Sequence, residues 1–133
     1  MGAAARVLPT SPLDQQMEDV RSRYPGASIR SEGGVDVVSI PGVKLPGGWN
    51  KTEAAIHFIV PPGYPHANPD CFNTDSDLRL AGGGMPRSAG LQVMPIVGNT
   101  LWFSWHIQRP WKPGRDSLLS WLAAILARFE ARS

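Results

Sequence analysis

The sequence predicts a small α+β domain in which N- and C-terminal helices flank an antiparallel β-meander. Three observations predict this class: an amphipathic stripe near the N-terminus, β-branched segments separated by proline and glycine, and a broad apolar helical face near the end. A chain of 133 residues suits one domain with one core. We expect residues 1–10 to form a flexible N-terminus and residues 11–133 to form this domain.

The first helix is predicted to begin at Ser11-Pro12. Serine caps the free amide groups of a helix, and proline suits the first helical position. Apolar residues then recur at helical spacing and form a single stripe: Leu13, Met17, Val20 and Tyr24. Pro25-Gly26 is expected to end the helix.

The middle of the chain reads as short strands. Residues 35–40 and 53–60 are rich in β-branched and apolar side chains, which indicates strands. A proline-rich crossing over residues 61–69 follows, and a short strand is expected over residues 70–72. Residues 75–99 give only a weak signal, with a glycine-rich loop at 82–84.

The last part of the chain predicts a turn and a helix. Residues 101–106 are strongly apolar and aromatic, and residues 111–114 read as a turn. Asp116 is expected to cap the helix that follows. Its predicted apolar face is broad and consists of Leu118, Leu119, Leu122, Ile125, Leu126 and Phe129.

Composition excludes several classes of function. The net charge is only +2, and the basic residues form no run, so we expect no nucleic-acid partner. No apolar run has the length of a membrane span, so we expect no membrane partner. A single cysteine cannot form an intramolecular disulfide, and a reduced, cytoplasmic setting fits best. The glycine-rich loop lacks the ending of a phosphate loop, and we expect no cofactor.

The proline-rich crossing carries a resemblance to a known fold. Residues 61–69 read PPGYPHANP directly after a strand, and Trp111-Lys112-Pro113 leads into a helix. This order resembles the ubiquitin-conjugating (UBC) fold. Within that superfamily, the chain looks most like prokaryotic UBC family E, on the motifs PGYP at 62–65, PDCF at 69–72, LRL at 78–80 and Trp105-His106.

The resemblance implies a role in a bacterial ubiquitin-like protein modification pathway. The implied partners are a ubiquitin-like protein and an adenylating activating enzyme. A typical UBC enzyme carries its partner as a thioester on a cysteine that follows a His-Pro-Asn motif. His66-Ala67-Asn68 lies before the next strand, not after it, so it is not the counterpart of that motif. Counting back from Trp111 places the usual cysteine near Phe103, and residues 102–106 contain none.

Two residues remain as catalytic candidates. Cys71, the only cysteine, is either a small core residue at the start of a strand or a relocated nucleophile. Asp70 beside it would raise its pKa. His106 lies near the position of the missing cysteine. It either acts as a general base or acyl-positioning group, or simply packs on Trp105 or Trp111.

The candidate binding residues are aromatic. Trp49 follows Gly48 in a predicted turn, and we expect it to be exposed for a partner. Tyr64 and Trp111 belong to the two UBC-like motifs and are the other candidate contacts. No pair among the histidines and aspartates has ligand spacing on one element, so we expect no metal site.

Three interpretations of function remain open. The first is an interaction module that binds the ubiquitin-like protein or the activating enzyme without the usual nucleophile. The second is a conjugating enzyme that uses Cys71 or His106 in an unusual geometry. The third is a UBC-like or RWD-like structural domain with no link to protein modification.

Overall fold

The computed structural model describes residues 11–133, and the expected flexible N-terminus at 1–10 lies outside the described residues. Two helices and six strands make up the described chain. In order, they are α1 (Pro12–Arg23), β1 (Ser28–Glu32), β2 (Val35–Lys44), β3 (Glu53–Val60), β4 (Phe72–Asp75), β5 (Ala89–Met94), β6 (Gly98–Phe103) and α2 (Leu118–Glu130).

The six strands form one antiparallel sheet in the order β1-β2-β3-β4-β6-β5. The first four strands form a meander, whereas β6 inserts between β4 and β5. This leaves β1 and β5 as the two edges of the sheet. The predicted α+β class, with helices before and after an antiparallel sheet, is confirmed.

Helix α1 has the start that the sequence predicts. The Ser11 side chain accepts a hydrogen bond of 3.1 Å from the backbone N–H of Asp14, and Pro12 occupies the first turn. Met17 and Val20 are buried. The backbone N–H of Tyr24 bonds to the carbonyl of Val20 at 2.9 Å and closes the helix. The apolar stripe therefore docks α1 onto the sheet.

The N-cap of α2 is Ser117 and not Asp116. The Ser117 hydroxyl accepts a bond from Leu119 N–H at 3.2 Å, and Ser120 accepts from Ser117 N–H at 3.1 Å. The expected cap at Asp116 is wrong because its buried carboxylate has other donors. Two Arg109 nitrogens donate to it at 2.6 and 2.8 Å, and the Lys112 N–H donates at 2.8 Å. These donors hold the pKa of Asp116 far below its usual range.

Aromatic rings form the centre of the core. Phe72 of β4 stacks on Phe103 of β6, with centroids 4.8 Å apart and planes at 7°. Phe129 of α2 meets the edges of both rings at 5.5 and 5.7 Å. Trp49 packs on Phe129 at 5.3 Å, and its indole N–H donates to the Phe129 carbonyl at 2.9 Å. The end of α2 is thereby fixed to the sheet.

Two further local expectations are wrong. Trp49 is not exposed: its relative exposure is 6% because α2 covers it. The strand expected over 70–72 begins only at Phe72 and continues to Asp75. Cys71 precedes it with φ of +62°, a left-handed conformation outside the β region of regular strands.

Residues 75–99, whose sequence gives only a weak secondary-structure signal, contain more regular structure than expected. They contain β5, which forms a hairpin with β6. The glycine-rich loop at 82–84 is a hydrogen-bonded turn, in which Leu80 N–H bonds to Gly84 O at 3.0 Å and Gly83 N–H bonds to Leu80 O at 2.8 Å. Sequence reasoning also missed β1, which is a short strand of five residues.

Leu91 and Leu101 offer a matched test of the core. They face each other across the β5–β6 pair, but Leu101 is fully buried whereas Leu91 is 66% exposed. We expect Leu101→Ala to lower the free energy of unfolding by about 2–5 kcal/mol, because it leaves a cavity. Leu91→Ala should change it by no more than about 0.5 kcal/mol. Urea denaturation followed by circular dichroism measures both, and equal losses would contradict the described packing.

Candidate functional site

The two catalytic candidates meet where β4 begins and β6 ends. The strands are antiparallel, and Phe72 lies opposite Phe103. Residues just before β4 and just after β6 therefore lie side by side. The Cys71 N–H donates to the Trp105 carbonyl at 2.8 Å and fixes this junction. The sequence gives Cys71 and His106 as separate candidates, and the structure brings them together.

Asp70, Cys71 and His106 form one cluster, named here the junction cluster. Their ligand-type atoms all lie within 4.8 Å of one another. Nδ1 of His106 is hydrogen-bonded to a carboxylate oxygen of Asp70. The side chains of His106 and Asp70 are 62% and 54% exposed, so solvent and partners reach them. Sequence reasoning treated Asp70 only as a neighbouring charge and missed its contact with His106.

The local environment keeps the Cys71 thiol protonated. Partial burial raises its pKa, and the nearby Asp70 charge adds to the rise. Hydrogen bonds from the Trp105 backbone and from Ser104 act in the opposite direction but do not outweigh burial. Because the thiolate is the reactive form, the resting thiol is a weak nucleophile.

The candidate binding aromatics Tyr64 and Trp111 lie against each other, with ring centroids 6.0 Å apart. The Trp111 indole N–H donates to the Pro65 carbonyl at 2.7 Å. The Tyr64 hydroxyl donates to the Gln16 side-chain oxygen, which also accepts from Leu118 N–H at 2.9 Å. Burial raises the pKa of Tyr64. Both rings are half-buried and join the proline-rich crossing to α1 and α2.

Charges gather at the other end of β4. Lys51 Nζ lies 2.7 Å from an oxygen of Asp75 and 2.8 Å from an oxygen of Asp77. Asp75 also accepts a bond of 3.2 Å from the Ala55 N–H. The hydrogen bond to Lys51 lowers the pKa of Asp77. Both carboxylates are paired with a cation, which makes either a poor general base.

The edge strand β5 carries the most exposed large apolar side chains in residues 11–133. Leu91 is 66% exposed and Val93 is 74% exposed, and both lie on the same face of the strand. A groove of about 450 Å³ runs beside them and is also lined by Ser76, Arg79 and Asn99. Sequence reasoning missed this surface because β5 has no buried apolar pattern of its own.

Neither helix in residues 11–133 has the length and apolarity needed to cross a membrane.

One helix before an antiparallel sheet in the chain and one helix after it, with a proline-rich crossing between β3 and β4, is the arrangement of a UBC-like protein. The family model described as prokaryotic E2 family E matches residues 20–132, and the chain belongs to this family. The resemblance drawn from the sequence motifs is thereby confirmed. Comparison with curated proteins and with solved structures found no significant match.

The described state of Cys71 can be tested by thiol chemistry. We expect the native thiol to react with DTNB more slowly than the unfolded chain near neutral pH, with a higher apparent pKa, because burial disfavours the thiolate. Rates measured from about pH 6 to pH 10 give both the rate constants and the apparent pKa values. Asp70→Asn should lower the apparent pKa, since it removes the negative charge. A native apparent pKa below the unfolded one would contradict this environment.

Proposed function

We propose that the chain binds a ubiquitin-like protein, its adenylating activating enzyme, or both, and carries no thioester at the position usual for UBC enzymes. Membership of prokaryotic E2 family E makes it a UBC-like component of a protein modification pathway. Within a bacterial ubiquitin-like pathway, its proposed role is to bind these partners.

The observation that carries this proposal is the absence of a thiol between β6 and Trp111. Residues 102–106 are Trp102, Phe103, Ser104, Trp105 and His106. Phe103 is fully buried in the aromatic core, and Trp105 donates its indole N–H to the Ala124 carbonyl at 2.8 Å. In the segment that would present a nucleophile, Phe103 and Trp105 instead pack α2 on the sheet.

The surface that supports a binding role is the outer edge of β5. An edge strand presents backbone donors and acceptors that an extended peptide segment can pair with. Exposed Leu91 and Val93 add apolar contact, and Arg79 in the adjacent groove supplies a positive charge. We assign this edge to the ubiquitin-like protein, and the half-buried pair Tyr64 and Trp111 is a second contact region.

Binding can be measured with a purified ubiquitin-like protein and a purified adenylating activating enzyme of a bacterial ubiquitin-like pathway. We expect the double variant Leu91→Ser/Val93→Ser to weaken binding of the ubiquitin-like protein by at least about tenfold, the loss expected for about 1.4 kcal/mol. Isothermal titration calorimetry gives the affinities, and thermal unfolding checks that the fold is retained.

Ile59→Ser is the matched control, because Ile59 is 41% exposed but lies on the opposite face of the sheet in β3. It should leave the affinity unchanged. Loss of binding in the control alone would move the contact to that other face. Absence of binding to both partners would overturn the proposal and favour a structural domain without a link to modification.

A second candidate function is conjugation through Cys71, and the junction cluster favours it. The Asp70 carboxylate orients the His106 ring, and a ring nitrogen lies within 4.8 Å of the sulfur. In this candidate the Cys71 sulfur attacks the thioester between the activating enzyme and the ubiquitin-like protein. A new thioester forms on Cys71, the old carbon–sulfur bond breaks, and His106 moves the thiol proton to the departing cysteine.

The two candidates differ in a charging reaction with activating enzyme, ATP and the ubiquitin-like protein. We expect no adduct of this chain that reducing agent removes, because the thiol is protonated and lies away from the usual position. Non-reducing electrophoresis shows the result, and charging of the activating enzyme itself is the internal control. A reducible adduct that Cys71→Ser abolishes and His106→Gln slows would establish conjugation through Cys71 instead.

A further inference from the structure

The junction cluster combines three different kinds of metal donor. Cys71 offers a sulfur, His106 a ring nitrogen and Asp70 a carboxylate oxygen, and these atoms lie within 4.8 Å of one another. The donors come from two segments that are 35 residues apart and meet through β4–β6 pairing. The expectation of no metal site rests on spacing along a single element, so it could not detect such a grouping.

From this geometry we propose that Asp70, Cys71 and His106 form a three-ligand site for a divalent transition metal of the zinc type. Sulfur, imidazole and carboxylate are the ligands that Zn²⁺ takes in proteins, whereas Mg²⁺ and Ca²⁺ take oxygen. Three protein ligands leave a fourth position of a tetrahedral ion for water or a partner group.

The backbone of the junction is fixed, and the donor side chains at its surface can adjust. The Cys71 N–H bond to the Trp105 carbonyl at 2.8 Å holds the two segments together. The side chains of Asp70 and His106 are more than half exposed and can rotate. A bound metal takes the place of the hydrogen bond between Asp70 and His106, and the thiol proton of Cys71 is released to solvent as the sulfur binds.

Metal binding at this site has a consequence for the thiol. A sulfur bound to Zn²⁺ is deprotonated, but it shares its electron pair with the ion. The bound sulfur is therefore a weaker nucleophile toward other molecules. The metal therefore caps the only cysteine of the chain, whether or not the chain acts as a conjugating enzyme. The inference does not depend on the proposed binding of a ubiquitin-like protein.

The test is a titration of the purified chain with Co²⁺ alone, with affinity tags removed and no thiol reductant present. We expect one equivalent to bind and to produce the sulfur-to-cobalt charge-transfer absorption, together with visible bands of tetrahedral intensity. Zn²⁺ should displace the Co²⁺ and abolish both. Because the chain has one cysteine, the charge-transfer band reports Cys71 only.

Variants separate a three-ligand site from a thiol that binds metal by itself. Asp70→Asn and His106→Gln should each weaken Co²⁺ binding by about tenfold or more, since loss of even an outer partner of a metal site costs roughly that much. His66→Gln is the matched control: His66 is also exposed, but it lies within the proline-rich crossing and outside the cluster. It should bind Co²⁺ like the unmodified chain.

A second readout needs no spectroscopy of the metal. Zn²⁺ should slow the DTNB reaction of Cys71 in the unmodified chain and in His66→Gln, and a chelator should restore the rate. In His106→Gln the slowing should require at least about tenfold more Zn²⁺. The proposal is overturned if no charge-transfer band appears, or if the band and the protection are the same in Asp70→Asn and His106→Gln.

Discussion

The pairing of β4 with β6 is the constraint on which the rest of the molecule depends. It stacks Phe72 on Phe103 at 4.8 Å, and this pair forms the floor on which Phe129 of α2 packs. The guanidinium of Arg128, one residue earlier in α2, lies 5.0 Å above the Phe103 ring. The same pairing sets the position of β5 outside β6. The helix, the edge strand and the junction cluster all take their positions from one strand pair.

Local signals predict the elements that local forces determine. Ser11-Pro12 and the apolar stripe after it define α1, because capping and helical spacing act within a few residues. The long apolar face likewise predicts α2. Its cap lies one residue later than expected, because Arg109 and Lys112 occupy the carboxylate of Asp116. These donors belong to the turn before α2, and the apolar pattern of the helix carries no information about them.

Features that depend on distant contacts are the ones that sequence reasoning missed. Trp49 stands beside a glycine in a loop, and only the return of α2 buries it. Cys71 and His106 meet because β4 pairs with β6 and not with its successor β5. The apolar side chains Leu91 and Val93 of strand β5 are exposed, so its sequence does not show the pattern of a half-buried strand. Its extended conformation comes from pairing with β6. The family motifs predicted the fold correctly, but they did not indicate where the Cys71 thiol lies relative to His106.

The two edge strands of the sheet differ in charge, and this difference limits where another strand can be added. The β1 edge has exposed Arg30 and Glu32, whereas Leu91 and Val93 are exposed on β5 and the strand has no charged residue. Charged side chains along an edge discourage the addition of another strand. Sheet addition is therefore favoured at one side only, and a fibre of head-to-tail sheets would need both. Pairing through the β5 edge should therefore join two chains and then stop, so that the open edge does not lead to a fibre.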